Sequence, residues 1–300
     1  LLYRSNAQSR VLEHQLFSAG IPYRVYGGLR FFERQEVKHA LAYLRLIANP
    51  DDDTAFLRVV NFPARGIGAR SLEALQDAAR TFNTSLYATV PHLTGKAGTI
   101  LAQFVGLIER LRQETAGLVL PEVVEHVVER STLRAHYQTE KEGQERLENL
   151  DELVSAATNF VAEGVTGEGP APEVDPRHPL LAEFLAHASL EAGEHQADAG
   201  ADAVQLMTVH AAKGLEFDAV FLSGLEEGLF PHENSALEAE GLEEERRLMY
   251  VAVTRARQRL YLSFAQSRML HGQTRYNLRS RFLEEIPESL TKWLTPSRAR

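Results

Sequence analysis

The 300-residue sequence predicts a mixed chain, α/β plus all-α: part of a parallel-sheet domain interrupted by a large helical insertion. Three observations lead there. Short apolar runs at 204–208 and 219–222, each flanked by turn residues, have the signature of strands covered on both faces, and 23–26 reads as another strand. From 33 to 190 apolar residues recur at helical spacing and strand signals nearly vanish. Between the two regimes stands Gly27-Gly28, a pair suited to a hinge out of the sheet layer.

In chain order, Leu1-Leu2-Tyr3 is a strand end and 6–19 a helix with Val11, Leu12, Leu16 and Phe17 inward. Gly20 caps that helix and Pro22 opens the next strand, which reaches Tyr26. Within the insertion, Val37, Ala40, Leu41, Leu44 and Ile47 form one apolar stripe, and Ile100, Leu101, Phe104, Leu107, Ile108 and Leu111 form another. Helices also fit 72–82, 121–130, 145–160 and 180–192. The run 163–179, rich in Gly, Pro and acid, is expected to be a mobile surface loop. The boundaries predicted are 1–27, 28–200 and 201–300.

The most informative stretch is 204–262. Its first strand ends near Thr208 and delivers His210, Lys213, Gly214 and Glu216 into one loop, where a glycine lets backbone approach a ligand closely. After a second strand, a helix beginning at Leu242 is expected to present Arg246, Arg247, Arg255, Arg257 and Arg259, followed by a third strand. Arginine is the side chain suited to bidentate phosphate contact.

Composition narrows the function classes. At 44% hydrophobic the chain can build two cores, and without cysteine it has no thiol catalysis, no zinc–thiolate site and no disulfide framework. No apolar run reaches membrane-spanning length. Net charge is −9, against indiscriminate polyanion binding, yet residues 1–70 carry nine Arg and one Lys against six acids, and 243–281 nine Arg against three. Locally basic faces on an acidic protein suit a nucleic-acid track.

The strings TVHAAKGLEF and EEERRLMYVAVTRAR resemble motifs V and VI of superfamily 1 DNA helicases of the UvrD/PcrA/Rep group, the UvrD branch most closely. LLYRSNAQSRVLEHQL is similar to the motif IV region, and PYRVYGGLRFFERQEVKHALAYLRLI extends the likeness; 81–202 is the least distinctive part. The resemblance implies a RecA-like domain, called 2A, at 1–27 and 201–300, interrupted by a helical 2B insertion at 28–200. It implies an ATP-dependent 3′-to-5′ DNA helicase of DNA repair, working with Mg2+ in a bacterial cytoplasm on single-stranded DNA and its junction with duplex, with repair proteins as partners.

Residue by residue, Arg255 matches the motif VI arginine that reaches the γ-phosphate, and Glu216, beside Gly214, the motif V carboxylate that accepts from the ribose. Arg4, Asn6, Thr208, His210 and His232 match segments that meet the single strand. Arg65, Gly66, Ile67, Gly68 and Arg70 match the turn that touches duplex, where free backbone N–H groups at a helix start can hold a phosphate. Relatives place an aromatic residue where this chain has His271, which offers a base less stacking area. No G-x-x-x-x-G-K-[ST] occurs, so the phosphate loop and the metal ligands are expected outside this chain, which alone should neither hydrolyse ATP nor unwind DNA. The start at Leu1, without Met, fits a C-terminal fragment. The same residues also fit a motor-less helical module that grips duplex through the Gly66 turn, or, within the superfamily, the motor of a recombination nuclease-helicase, although no nuclease-like carboxylate cluster follows.

Overall fold

A computed structural model describes residues 1–141, 143–164, 179–193, 202–270 and 273–295. The chain forms two compact units, one of Leu1–Leu29 with His195–Arg300 and one of Arg30–Glu194.

The first unit opens with β1 (Leu2–Tyr3), α1 (Ser9–Ser18) and β2 (Tyr23–Tyr26). The helical unit follows: α2 (Gln35–Ala48), α3 (Asp53–Val59), α4 (Ala69–Phe82), α5 (Leu86–Thr89), α6 (Gly95–Glu114), α7 (Leu120–Arg130), α8 (Leu133–Gln138), α9 (Gly143–Glu163) and α10 (Pro179–Gly193). The chain then returns to the first unit with β3 (Val204–Thr208), β4 (Phe217–Leu222), α11 (Glu233–Ala236), α12 (Ala239–Val253), β5 (Ala256–Leu262) and the strands β6 (Ser267–Leu270) and β7 (Gln273–Tyr276).

Five strands make one parallel sheet in the order β2-β3-β1-β4-β5, with Leu2 opposite both Met207 and Leu222. Because side chains alternate along a strand, the two residues of β1 serve opposite faces. Leu2 joins Met207, Val220 and Leu222 against Leu248, Met249 and Ala252 of α12. Tyr3 joins Tyr23, Val25 and Leu206 against Leu12, Leu16 and Phe17 of α1. Two covered faces were expected of 219–222 as well, and there the structure corrects the sequence. Val220 and Leu222 are buried, but Phe221 is 47% exposed and stacks on Tyr261 with ring centroids 4.4 Å apart.

Two further departures concern the C-terminal third. The helix expected from Leu242 begins at Ala239 and ends at Val253, so Arg255 lies in the turn beyond it and Arg257 and Arg259 lie on β5. Closure explains this: Arg255 N–H returns to Ala252 O, and Arg255 O accepts from Phe217 N–H, which starts the β4–β5 ladder. The antiparallel pair β6–β7 was not foreseen, because its mostly polar residues give no apolar alternation.

In the helical unit α2 is central. Its stripe Val37, Ala40, Leu41, Leu44, Ile47 is buried as anticipated, packed among α3, α6, α7, α9 and α10. On α6, Leu101, Phe104, Ile108 and Leu111 are buried while Ile100 and Leu107 are partly so. The loop expected at 163–179 lies outside the described residues except at its ends, and His271 lies outside them entirely.

Candidate nucleotide and nucleic-acid interfaces

Parallel strands sort the candidate residues of the first unit onto two opposite edges of its sheet. Strand C-termini deliver Arg4 and Asn6 after β1, and Thr208 and His210 at the end of β3. Strand N-termini receive Glu216 just before β4 and Arg255 just before β5. A six-residue strand such as β4 spans about 20 Å, so the edges are well separated. The loop 209–216 crosses from one edge to the other.

At the N-terminal edge, among the described residues, the Arg255 guanidinium meets only neutral oxygens. Nε donates to Val251 O at 3.0 Å, Nη1 to Leu215 O at 2.7 Å and Nη2 to Thr254 Oγ1 at 3.0 Å. Three of the four acids of α12 are engaged elsewhere: Glu243 with Arg246, Glu244 with Arg247 at 2.9 Å and Glu245 with Arg4 at 2.7 Å. Arg255 is therefore oriented by two carbonyls and a hydroxyl and paired with no carboxylate among the described residues, which suits an anion arriving from solvent. Glu216 is exposed and pairs with Arg257, Nε to Oε2 at 3.1 Å. Gly214, at φ +83°, turns the loop toward this edge.

The C-terminal edge is braced by side chains folded onto backbone. Gln8 Oε1 accepts the N–H groups of Arg4 and Ser5 at 2.8 and 2.9 Å, and Gly224 leaves the room: a Cβ there would stand 2.2 Å from Gln8 Nε2. Thr208 Oγ1 accepts from Ala211 N–H at 3.2 Å, and Ala211 packs onto Gly27. His210 is exposed and His232 partly so. Arg4 is tied to both oxygens of Glu245, and Oε2 also accepts from His232 N–H at 3.2 Å.

In the helical unit the turn at 65–70 is built around Asn61, whose Oδ1 accepts from Arg65 N–H at 2.9 Å and Ile67 N–H at 3.1 Å. Ile67 plugs the core at 4% exposure, which leaves Gly66, at φ +77°, and Gly68, the N-cap of α4, on the surface. The two arginines differ. Arg65 turns inward, donating to Val59 O, Pro63 O and the Tyr43 hydroxyl at 3.1, 3.0 and 2.6 Å, and lies over the rings of Tyr43 and Phe104. Arg70, at the start of α4, is exposed.

Comparison with known proteins bears on all of this. The family described as UvrD-like helicase C-terminal domain matches residues 1–267. The chain belongs to the UvrD-like helicase C-terminal domain family. It is 51% identical over 296 residues to DNA helicase II of Escherichia coli and, at the same identity, to that of Salmonella typhimurium, covering 96% of this chain and 40% of each relative. To the ATP-dependent DNA helicase PcrA of Bacillus subtilis it is 44% identical over 303 residues, 97% of this chain and 39% of that protein. The chain thus spans about two fifths of the length of these relatives. Every candidate residue except His271 falls inside the matched UvrD-like segment.

Three residues that organise these surfaces were not singled out from the sequence. Asn61 leaves no sequence signal. Glu226, fully buried, accepts from Arg268, Asn277 and Ala265 N–H and so braces the base of β6–β7. Glu245 does have a signal: it shares the i, i+3, i+4, i+7 stripe of α12 with Leu248, Met249 and Ala252, and a carboxylate on an apolar stripe needs a buried partner.

Proposed function

We propose that this chain supplies the second motor domain and the accessory helical domain of an ATP-dependent 3′-to-5′ DNA helicase acting in DNA repair in the cytoplasm. The first unit is read as the RecA-like domain 2A and the helical unit as the 2B insertion. The observation that supports this best is Arg255, a guanidinium at one sheet edge held by neutral oxygens, while Arg4, Asn6, Thr208 and His210 gather at the other. ATP, when bound, supplies the phosphoanhydride whose cleavage drives the cycle, with Mg2+ held by residues outside this chain.

In this reading Arg255 donates to phosphate oxygens as negative charge builds on them. Glu216 accepts from ribose hydroxyls, Arg257 holding its carboxylate and Gly214 bringing the loop backbone close. The loop 209–216 joins this edge to the strand-binding one, so a change of strand occupancy at Thr208 and His210 is felt at Glu216. Single-stranded DNA is assigned to the C-terminal edge, with His232 and, beyond the described residues, His271. Duplex is assigned to the Gly66-Ile67-Gly68 turn, with Arg70 as its cation and Arg65 as the residue that positions the turn.

The test is ATP hydrolysis by the gene product containing this chain, with and without single-stranded DNA, beside R255A. DNA should stimulate hydrolysis, and R255A should lower the stimulated rate by about a thousandfold or more. Hydrolysis indifferent to Arg255 would replace the motor reading with that of a DNA-binding module.

A further inference from the structure

Glu245 stands in an unusual place for a carboxylate, 4% exposed and on the inward stripe of α12. What surrounds it belongs to the C-terminal sheet edge. Arg4 donates Nε to both carboxylate oxygens, at 3.1 and 3.0 Å, and Nη2 to Oε1 at 2.7 Å. His232 N–H adds a bond to Oε2 at 3.2 Å. Burial alone would push the carboxyl up; the hydrogen bonds and charge of Arg4, with help from His232 N–H and the Ser235 side chain, outweigh it and hold the group below the ordinary glutamate range. It is therefore ionised at neutral pH, and the pair with Arg4 is electrically neutral.

Arg4 is not used up by this contact. A guanidinium has five N–H donors, and here Nη1 donates to no group among the described residues while the side chain keeps 19% of its surface in solvent. The carboxylate fixes the plane of the fork from behind and leaves its remaining donors facing outward. The same carboxylate holds the backbone of His232, 228 positions further along the chain.

We propose that Glu245 is a positioning residue of the polynucleotide edge: it holds Arg4 and the His232 segment in one geometry and cancels the Arg4 charge, so that this edge meets a strand by directed hydrogen bonds rather than by net charge. The proposal rests on the assignment of single-stranded DNA to this edge made above. A purely structural pair would make no difference to how binding depends on salt, and a free cation would make a different one.

The experiment measures binding of a fluorescent oligothymidylate to the full 300-residue chain by anisotropy over a series of salt concentrations, for wild type, E245Q and R4Q/E245Q. Each phosphate neutralised on a single strand contributes about 0.7 to the slope of log affinity on log salt. E245Q unmasks the Arg4 charge and should steepen the slope by about 0.7. R4Q/E245Q exchanges one neutral pair for another, so its slope should equal that of wild type while affinity falls several-fold. A wild-type slope in E245Q, or a double variant whose slope is shallower than wild type by about 0.7, overturns the proposal and leaves the edge assignment standing. Should E245Q fail to fold, the double variant decides alone. A wild-type chain that does not bind the oligonucleotide removes the edge assignment and the proposal together.

Discussion

Replacing Arg65 by alanine separates holding the duplex-facing turn from touching a ligand. The side chain makes three bonds of 3.1 Å or less to Val59 O, Pro63 O and Tyr43 Oη, and the Tyr43 hydroxyl in turn donates to Phe62 O at 2.6 Å. Hydrogen bonds from a charged donor are worth about 1.5 kcal/mol each at the low end of their range. The rings of Tyr43 and Phe104 add about 0.5 kcal/mol, and the rotamer freedom regained on truncation returns about 2 kcal/mol. The expected loss is about 3 kcal/mol, which for a unit of this length lowers the thermal midpoint by about 6–12 °C. R70A, an exposed change at the start of α4, should move the midpoint by less than about 2 °C. The assay pairs a thermal melt followed by circular dichroism with duplex binding well below the melt. R70A should weaken duplex binding and lower its salt slope by about 0.9. If R65A kept the wild-type midpoint yet lost duplex affinity, the inward bonds would not be the role of Arg65.

Three further perturbations follow from the same coordinates. His39 bonds the Tyr137 hydroxyl at 2.8 Å and stacks on Phe62, and burial, then the charges of Arg58, Arg146 and His136, lower its pKa to about 4. The unfolded chain takes that proton first, near 6.5, so stability is full above 6.5 and falls toward pH 4 by about 1.4 kcal/mol per pH unit; H39Q should flatten the fall, and urea midpoints equally pH-dependent in both proteins would refute this. Removing the buried Glu226 carboxylate in E226A strands Arg268 and Asn277 and should cost about 3 kcal/mol, with faster amide exchange in β6; unchanged exchange would show that the hairpin does not depend on it. Gly27 combines φ +76° with a Cβ position 2.7 Å from Ala211, whereas Gly20 has φ +64° and open space, so G27A should cost about 1–2 kcal/mol more than G20A in chemical denaturation, and equal costs would refute the packing argument.

What the sequence disclosed, and what it hid, divides by the range of the interaction. The helix anticipated at 121–130 is observed as Leu120–Arg130, and the strand ending near Thr208 as Val204–Thr208, because both are written in local periodicity and in the glycines and prolines around them. Arg65 and Arg4 are opposite cases. The acceptors of Arg65 include Ser131 O, 66 positions away, and Arg4 finds its carboxylate 241 positions away. No period links such partners; only the folded chain brings them together. An arginine inside a string that resembles a ligand-binding motif is thus read from sequence as a contact, although its fork can be spent on the protein instead. Arg255 escapes this ambiguity for a physical reason. Its oxygens come from Val251, Thr254 and the neighbouring Leu215, all neutral, so orientation is achieved without loss of charge. Of the motif arginines 4, 65 and 255, Arg65 is spent internally and acts through what it holds in place, Arg4 gives part of its fork to Glu245 and keeps the rest for solvent, and Arg255, held by two carbonyls and a hydroxyl, is fitted to act on a ligand directly.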